Sequence, residues 1–175
     1  MQNVECKYEL RDLILARGLA KLSGASFIAT LEQTDTYFKL TSGRLKKRET
    51  IGASTEWVFY DRTNMARPRI STFVIYTEDE AHARFGAQSL PIWVIVRKKR
   101  ELYMYENVRI HLDQVESLGT FIEFEALVSS KFHEGRCQHT VNFLREHFGP
   151  ALGETIAVSY CDMMAAAQEA DQAAM

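Results

Sequence analysis

Charged side chains recur at every second position in several short stretches of this chain, and that spacing marks where its chemistry could lie. In an extended strand, residues i, i+2 and i+4 project to one face. Asn3, Glu5 and Lys7 share a face in the first stretch, and Arg44, Lys46 and Arg48 do so in the second. Lys98 and Arg100 follow, then Arg109, His111 and Asp113, then Glu123 and Glu125. The alternate positions are mostly apolar: Val4, Cys6 and Tyr8; Val108, Ile110 and Leu112; Ile122, Phe124 and Ala126. An antiparallel sheet of this kind commonly keeps its charged face in water. The other arrangement wraps that face around a charged ligand.

If the polar faces converge, the cations are Lys7, Arg44, Lys46, Arg48, Arg62, Lys98, Arg100 and Arg109. At about 4 Å and an effective dielectric of about 20, each like-charge pair costs roughly 4 kcal/mol. An enclosed surplus of that kind calls for an anion, and a triphosphate suits it. Arginine presents a planar fork of donors to phosphate oxygens and lysine a compact point charge. The carboxylates Glu5, Asp113, Glu123 and Glu125 would repel the same ligand. Mg²⁺ or Mn²⁺ resolves the conflict, because a hard cation takes carboxylate, water and phosphate oxygens together. Glu5, Glu123 and Glu125 have the chemistry and the parity for it. Arg97, Lys99 and Lys47 have the opposite parity and read as solvated, and His111 reads as a hydrogen-bonded residue rather than a base.

The elements that must position these groups can be read from punctuation and periodicity. A strand over 2–9 is followed by a helix over 10–22 that Ser23-Gly24 ends. Strands follow at 26–32, 36–40, 44–51, 56–62 and 70–76, and Thr77 caps a short helix through 88. Further strands fall at 92–99, 101–106, 108–113 and 120–128, then helices at 134–147 and 156–164, with an Ala- and Gln-rich tail over 165–175 that is expected to fray. Consecutive strands with helices set apart give an antiparallel α+β chain, and closing the strands into a barrel removes the free edges. The 175 residues suit one domain over 1–164. A net charge of −2 argues against nucleic acid or an anionic membrane as partner. The first residues have no apolar core like that of a secretory signal, and no apolar run reaches the length of a membrane span. Cys6, Cys137 and Cys161 are odd in number and widely spaced, as free thiols of a cytoplasmic protein would be. The outer strands could also support a homodimer.

Taken in order, Asn3-Val4-Glu5-Cys6-Lys7, residues 33–38, 43–49, 60–62, Ser71, 96–100, 109–113, 115–119, 121–125 and 159–162 resemble the CYTH domain of the triphosphate tunnel metalloenzymes. The subgroup most resembled is labelled class IV adenylate cyclase, with thiamine triphosphatase-like members beside it. The resemblance implies an eight-stranded antiparallel β-barrel tunnel with a polar, charged interior and flanking helices. It implies phosphate contacts by Lys7, Arg44, Lys46, Arg48, Arg62, Lys98 and Arg100, to which parity adds Arg109. It implies metal ligation by Glu5, Glu123 and Glu125, with Asp113 as an accessory carboxylate, and a catalytic set of Lys7, Glu5 and Glu125. The family begins Glu-x-Glu-x-Lys, whereas this chain has Asn3-x-Glu5-x-Lys7. Asn3 offers a neutral carbonyl oxygen where a carboxylate is usual.

Three activities fit that reading. A triphosphatase would hydrolyse tripolyphosphate, thiamine triphosphate or ATP, and is favoured because gripping phosphates and orienting water suffice. An adenylate cyclase would make cyclic AMP and pyrophosphate from ATP, but no residue identifies an adenine site. A non-catalytic triphosphate-binding module is the third, motivated by Asn3.

Overall fold

Alternating strands and turns build a β-barrel at the centre of the computed structural model, which describes residues 1–61, 68–86 and 90–173. The strands are β1 (Gln2–Leu10), β2 (Ser26–Phe38), β3 (Arg44–Thr50), β4 (Glu56–Asp61), β5 (Arg69–Tyr76), β6 (Ile92–Tyr105), β7 (Val108–Val115), β8 (Gly119–Leu127) and β9 (Leu152–Thr155). The helices among the described residues are α1 (Leu13–Ser23), α2 (Glu78–Phe85), α3 (Glu134–His147) and α4 (Tyr160–Ala173). Neighbours run β5-β4-β3-β2-β6-β7-β8-β1, all antiparallel, and β1 pairs back onto β5 through Asn3 and Ser71. Eight strands therefore close on themselves. The ninth, β9, extends the sheet from β1, setting Tyr8 opposite Thr155.

The barrel is turned inside out relative to one filled by aliphatic side chains. The apolar faces of β1, β7 and β8 point outward, where Val4, Ile110, Leu112, Ile122 and Phe124 meet Cys137, Val141, Leu144 and Phe148 of α3 and its exit. Each such fully buried side chain contributes about 1.5–3 kcal/mol. A second apolar cluster plugs one end of the tunnel, with Tyr160, Cys161 and Met164 of α4 against Tyr37, Tyr60, Val94, Val96, Val115 and Phe121. The two C-terminal helices thus differ in kind: α3 covers the wall from outside and α4 stops the bore. Under α2, Phe38, Leu45, Trp57 and Ala81 form a third cluster.

Several boundaries differ from the sequence expectation. The stretches 26–32 and 36–40 are one strand, β2, because Gln33 and Asp35 face the tunnel and do not break the strand. Segments 92–99 and 101–106 likewise join as β6. Leu10 closes β1, and α1 starts at Leu13, capped by the Asp12 carboxylate accepting from the Leu15 N–H at 2.8 Å. The capping box of Thr77 and Glu80 starts α2 as expected, and Gly86 ends it. The expected helix at 156–164 begins only at Tyr160, after the unforeseen β9, and it runs on to Ala173 through the tail expected to fray. Gly43, at φ +71, turns the β2–β3 hairpin where a Cβ would lie 2.5 Å from the Phe59 ring. No helix among the described residues is long and apolar enough to cross a membrane.

Candidate functional site in the charged tunnel

A cavity of about 290 Å³ follows the bore, lined by side chains from all eight barrel strands and by Ser159 and Tyr160 at its closed end. Parity delivers them: Asn3, Glu5 and Lys7 from β1, Gln33, Asp35 and Tyr37 from β2, Lys46 and Arg48 from β3. Lys98 and Arg100 come from β6, Arg109 and His111 from β7, Glu123 and Glu125 from β8.

On one wall, Asp35 is fully buried and gathers three cations. Arg48 donates to it through Nε at 2.7 Å and Nη2 at 2.8 Å, Lys46 through Nζ at 3.1 Å, and Lys98 through Nζ at 2.6 Å. Burial alone would push the Asp35 carboxyl up, yet Arg48, Lys46 and Lys98 together hold it well below the usual carboxylate range. The lysines move the other way. Burial and the adjacent Arg48 bring Lys46 down to about 8, and burial lowers Lys98 strongly despite Asp35.

Deeper in the bore, Arg100 forks onto Asp113 with both contacts at 2.6 Å, and the Tyr160 hydroxyl donates to Asp113 at 2.8 Å. Against the cost of burial, Arg100 brings the Asp113 carboxyl to about 2. Lys7 lies 3.5 Å from Glu123 and sits 3.8 Å from the centre of the Tyr160 ring. Arg100 and His111 Nδ1 each lie 3.4 Å from Glu123, which stays well below the usual range against burial because of Lys7, His111 and Arg100. Burial, aided by Arg100, lowers His111 and favours the neutral ring.

The remaining carboxylates form the opposite wall. Register sets Glu5 directly across from both Glu125 and Arg69, and Lys7 across from Glu123. Arg69 Nε lies 3.4 Å from Glu5. Glu125 accepts from the Asn3 side-chain amide and lies 3.4 Å from Arg109. That amide bond turns the Asn3 Oδ1 away, and this buried oxygen has no hydrogen-bond partner among the described residues. An orphaned carbonyl oxygen and two carboxylates on one wall are the oxygen donors a hard cation prefers. The residues present therefore fit a divalent cation at Asn3, Glu5 and Glu125. No three His, Cys, Asp or Glu groups stand ready-clustered as a metal cage among the described residues, which makes the Asn3 oxygen the telling one.

The tunnel brings together Glu5, Lys7, Lys46, Arg48, Lys98, Arg100, Glu123 and Glu125, with Arg109 at the side of Glu125 and about two-fifths exposed. Asp113 faces inward but both its oxygens are taken by Arg100 and Tyr160. Arg44 reaches Asp162 at 2.9 Å beside the α4 plug. Arg62 lies outside the described residues. Arg97 and Lys99 are exposed and, with Glu32, Glu49 and Glu116, line an open outer groove of about 680 Å³ with mixed charge. Sequence reasoning missed Asp35 and Tyr160 as lining residues and Arg69 as the partner of Glu5. Asp35 could have been found, since it alternates with Gln33 and Tyr37 exactly as the basic residues alternate.

A family model described as CYTH domain matches residues 1–138 of the chain. No curated protein matches it. Among solved structures, the PH1012 protein of Pyrococcus horikoshii OT3 is 19% identical with a TM-score of 0.75, covering 93% of this chain and 99% of that one. An adenylate cyclase candidate of Vibrio parahaemolyticus is 18% identical at TM-score 0.69, covering 91% of this chain and 95% of the other. A Hippeastrum adenylyl cyclase candidate described as having a dominant triphosphatase activity is 14% identical at TM-score 0.65, covering 94% and 96%. At these identities the likeness is one of fold.

Proposed function

Because the chain belongs to the CYTH domain family, whose members in general act on triphosphates with a divalent cation, we propose that it is a metal-dependent triphosphatase. The observation that carries this reading is the division of the bore into two walls. Lys46, Arg48 and Lys98 converge on one side, and Glu5, Glu125 and the unpartnered Asn3 oxygen on the other.

In this reading Lys46, Arg48, Lys98 and Arg100 grip phosphate oxygens, with Lys7 between them and the carboxylates. Asn3, Glu5 and Glu125 would hold Mg²⁺ or Mn²⁺, and Glu123 supports that wall while paired with Lys7. When bound, the cation neutralises charge on phosphate oxygens. The protein groups fix the triphosphate in line for water, whose oxygen attacks the terminal phosphorus. The P–O bond to the bridging oxygen breaks, and orthophosphate and a diphosphate leave. Positioning and preorganised charge supply the rate. Asp113, with both oxygens engaged by Arg100, serves to orient that arginine. The cytoplasm, where Cys6, Cys137 and Cys161 remain free thiols, is the compartment proposed.

The test incubates the purified chain with Mg²⁺ or Mn²⁺ and ATP, thiamine triphosphate or tripolyphosphate, and resolves the products by ion exchange. Orthophosphate with the matching diphosphate supports the triphosphatase. Cyclic AMP with pyrophosphate would replace it by a cyclase, and survival of every substrate with both metals would leave a binding module.

A further inference from the structure

Asp35 touches cations from both neighbouring strands. Lys46 and Arg48 reach it from β3 and Lys98 from β6, and it is the only hydrogen-bond acceptor any of the three has among the described residues. Lysine carries three donors and arginine five. Asp35 takes one from each lysine and two from Arg48, so the remaining N–H groups stand over the cavity without protein acceptors. Their number and spread suit the tetrahedral oxygens of a phosphate better than the two oxygens of another carboxylate.

We propose that Asp35 is a positioning residue, a resident anion that keeps Lys46 and Lys98 protonated and gathered with Arg48, so that a terminal phosphate meets three cations already in place. This rests on the triphosphate reading of the tunnel. Without the carboxylate, three buried cations would face one another, and at about 4 Å each pair costs roughly 4 kcal/mol at an effective dielectric of about 20. The lysines can escape that cost by losing a proton and arginine cannot.

The groups around Lys46 make it the weak point. Asp35 and Tyr37 face it from β2, Arg44 and Arg48 from its own strand, Glu56 and Tyr60 from β4, Lys98 and Arg100 from β6, and Tyr160 from α4. Cations outnumber anions in that shell, and among the described residues Asp35 is the only anion bonded to the ammonium. Burial and Arg48 have already brought Lys46 to about 8, and loss of Asp35 moves it further down. The surplus is then lost at a pH where the wild-type chain retains it.

The experiment is titration calorimetry of tripolyphosphate, with magnesium in constant excess, at about pH 6.5 and about pH 8.5. Comparing proteins at each pH cancels the ligand's own titration. For Asp35→Asn, the ratio of its Kd to that of the wild type should rise about tenfold between the two pH values. Asp35→Glu, which keeps the charge, should hold that ratio level within about threefold. A merely structural role for Asp35 would weaken binding equally at both pH values, and that result, or a Glu variant that follows the Asn variant, overturns the proposal. If the single Asn variant does not fold, the double variant Asp35→Asn, Lys98→Met removes one anion and one cation together. It should restore the wild-type pH dependence with affinity about tenfold weaker. Wild-type affinity at both pH values in that double variant would equally overturn it. If the wild-type chain does not bind tripolyphosphate at all, this inference falls together with the triphosphate reading. Binding by the wild type with a pH-independent ratio sinks Asp35 alone.

Discussion

Glu125 accepts from Asn3, meets Arg109 and faces Glu5 across the sheet, so its charge is what a cation on that wall would see first. Glu125→Gln should therefore lower metal-dependent turnover by about 10²–10³-fold. The fold should persist, because the glutamine can still accept from Asn3; near wild-type rate at saturating metal would refute the assignment. Asn3→Glu adds a third carboxylate to the same wall. Mn²⁺ affinity followed by electron paramagnetic resonance should rise about tenfold, with the metal-free protein losing stability to like-charge repulsion. Asp113 tests a different bond. Its carboxyl is lowered from an ordinary 3.8 to about 2, so the Arg100 pair stabilises the folded chain fully above about pH 4. That contribution, on the order of 2 kcal/mol, is lost as pH falls toward about 2, and acid titration of urea unfolding should show it. Asp113→Asn should cost about 3–5 kcal/mol near neutrality, because Arg100 loses its forked partner in a buried site and keeps only the longer 3.4 Å contact with Glu123. Parity placed Glu5, Lys7, Lys46, Arg48, Lys98 and Glu125 each on the charged face of its strand, and only the resemblance turned those faces inward. Parity could not show that Asp113 is occupied by Arg100, since such pairing depends on which strands become neighbours.

At the scale of elements, α4 is the piece whose role the residue pattern left open. Tyr160 packs its ring against Phe121 at 5.1 Å, covers the Lys7 ammonium and hydrogen-bonds Asp113. Tyr160→Phe removes only the hydroxyl and should cost about 1 kcal/mol in urea unfolding. Tyr160→Ala opens the plug and should cost about 3–5 kcal/mol. On α3, which packs outside the barrel against β1, β7 and β8, Leu144→Ala should cost about 2–5 kcal/mol while leaving turnover per folded molecule intact. A reversal of that split, with Leu144→Ala altering affinity and Tyr160→Ala stable, would contradict the assigned roles. Helical periodicity revealed both segments, but β9 and the late start of α4 were hidden. Four residues of strand between Pro150 and Ser159 leave too short a period to read.

At the scale of the whole molecule the net charge is −2, while among the described residues six cations and five carboxylates line the bore. An anion entering the bore binds the folded chain and not the unfolded one. Tripolyphosphate at about 100 times its Kd should thus add about 2.7 kcal/mol of stability. For a chain of this size that is a rise of roughly 5–10 °C in Tm, and the rise should persist in moderate salt better than for a surface site. A Tm unmoved by tripolyphosphate would return the charged faces to the solvent. Antiparallel pairing could be inferred from the spacing of turns, although two pairs of expected strands are joined in β2 and β6 and β9 was unforeseen. Closure was expected from the resemblance and from the cost of free edges, but the spacing did not show which strands would meet. The bond between β1 and β5 joins segments that no local pattern links.

That closure also dictates an order of events. The strand bearing Asn3, Glu5 and Lys7 comes earliest in the chain, yet its partners are β5, β8 and β9, which begin at Arg69, Gly119 and Leu152. During synthesis it has no partner until Arg69 has followed, and its other edge stays open until Gly119. Contacts of such long sequence separation make folding slow. The residues proposed to do the chemistry are thus among the last to find one another, and a nascent chain has no closed bore until β8 has followed β1.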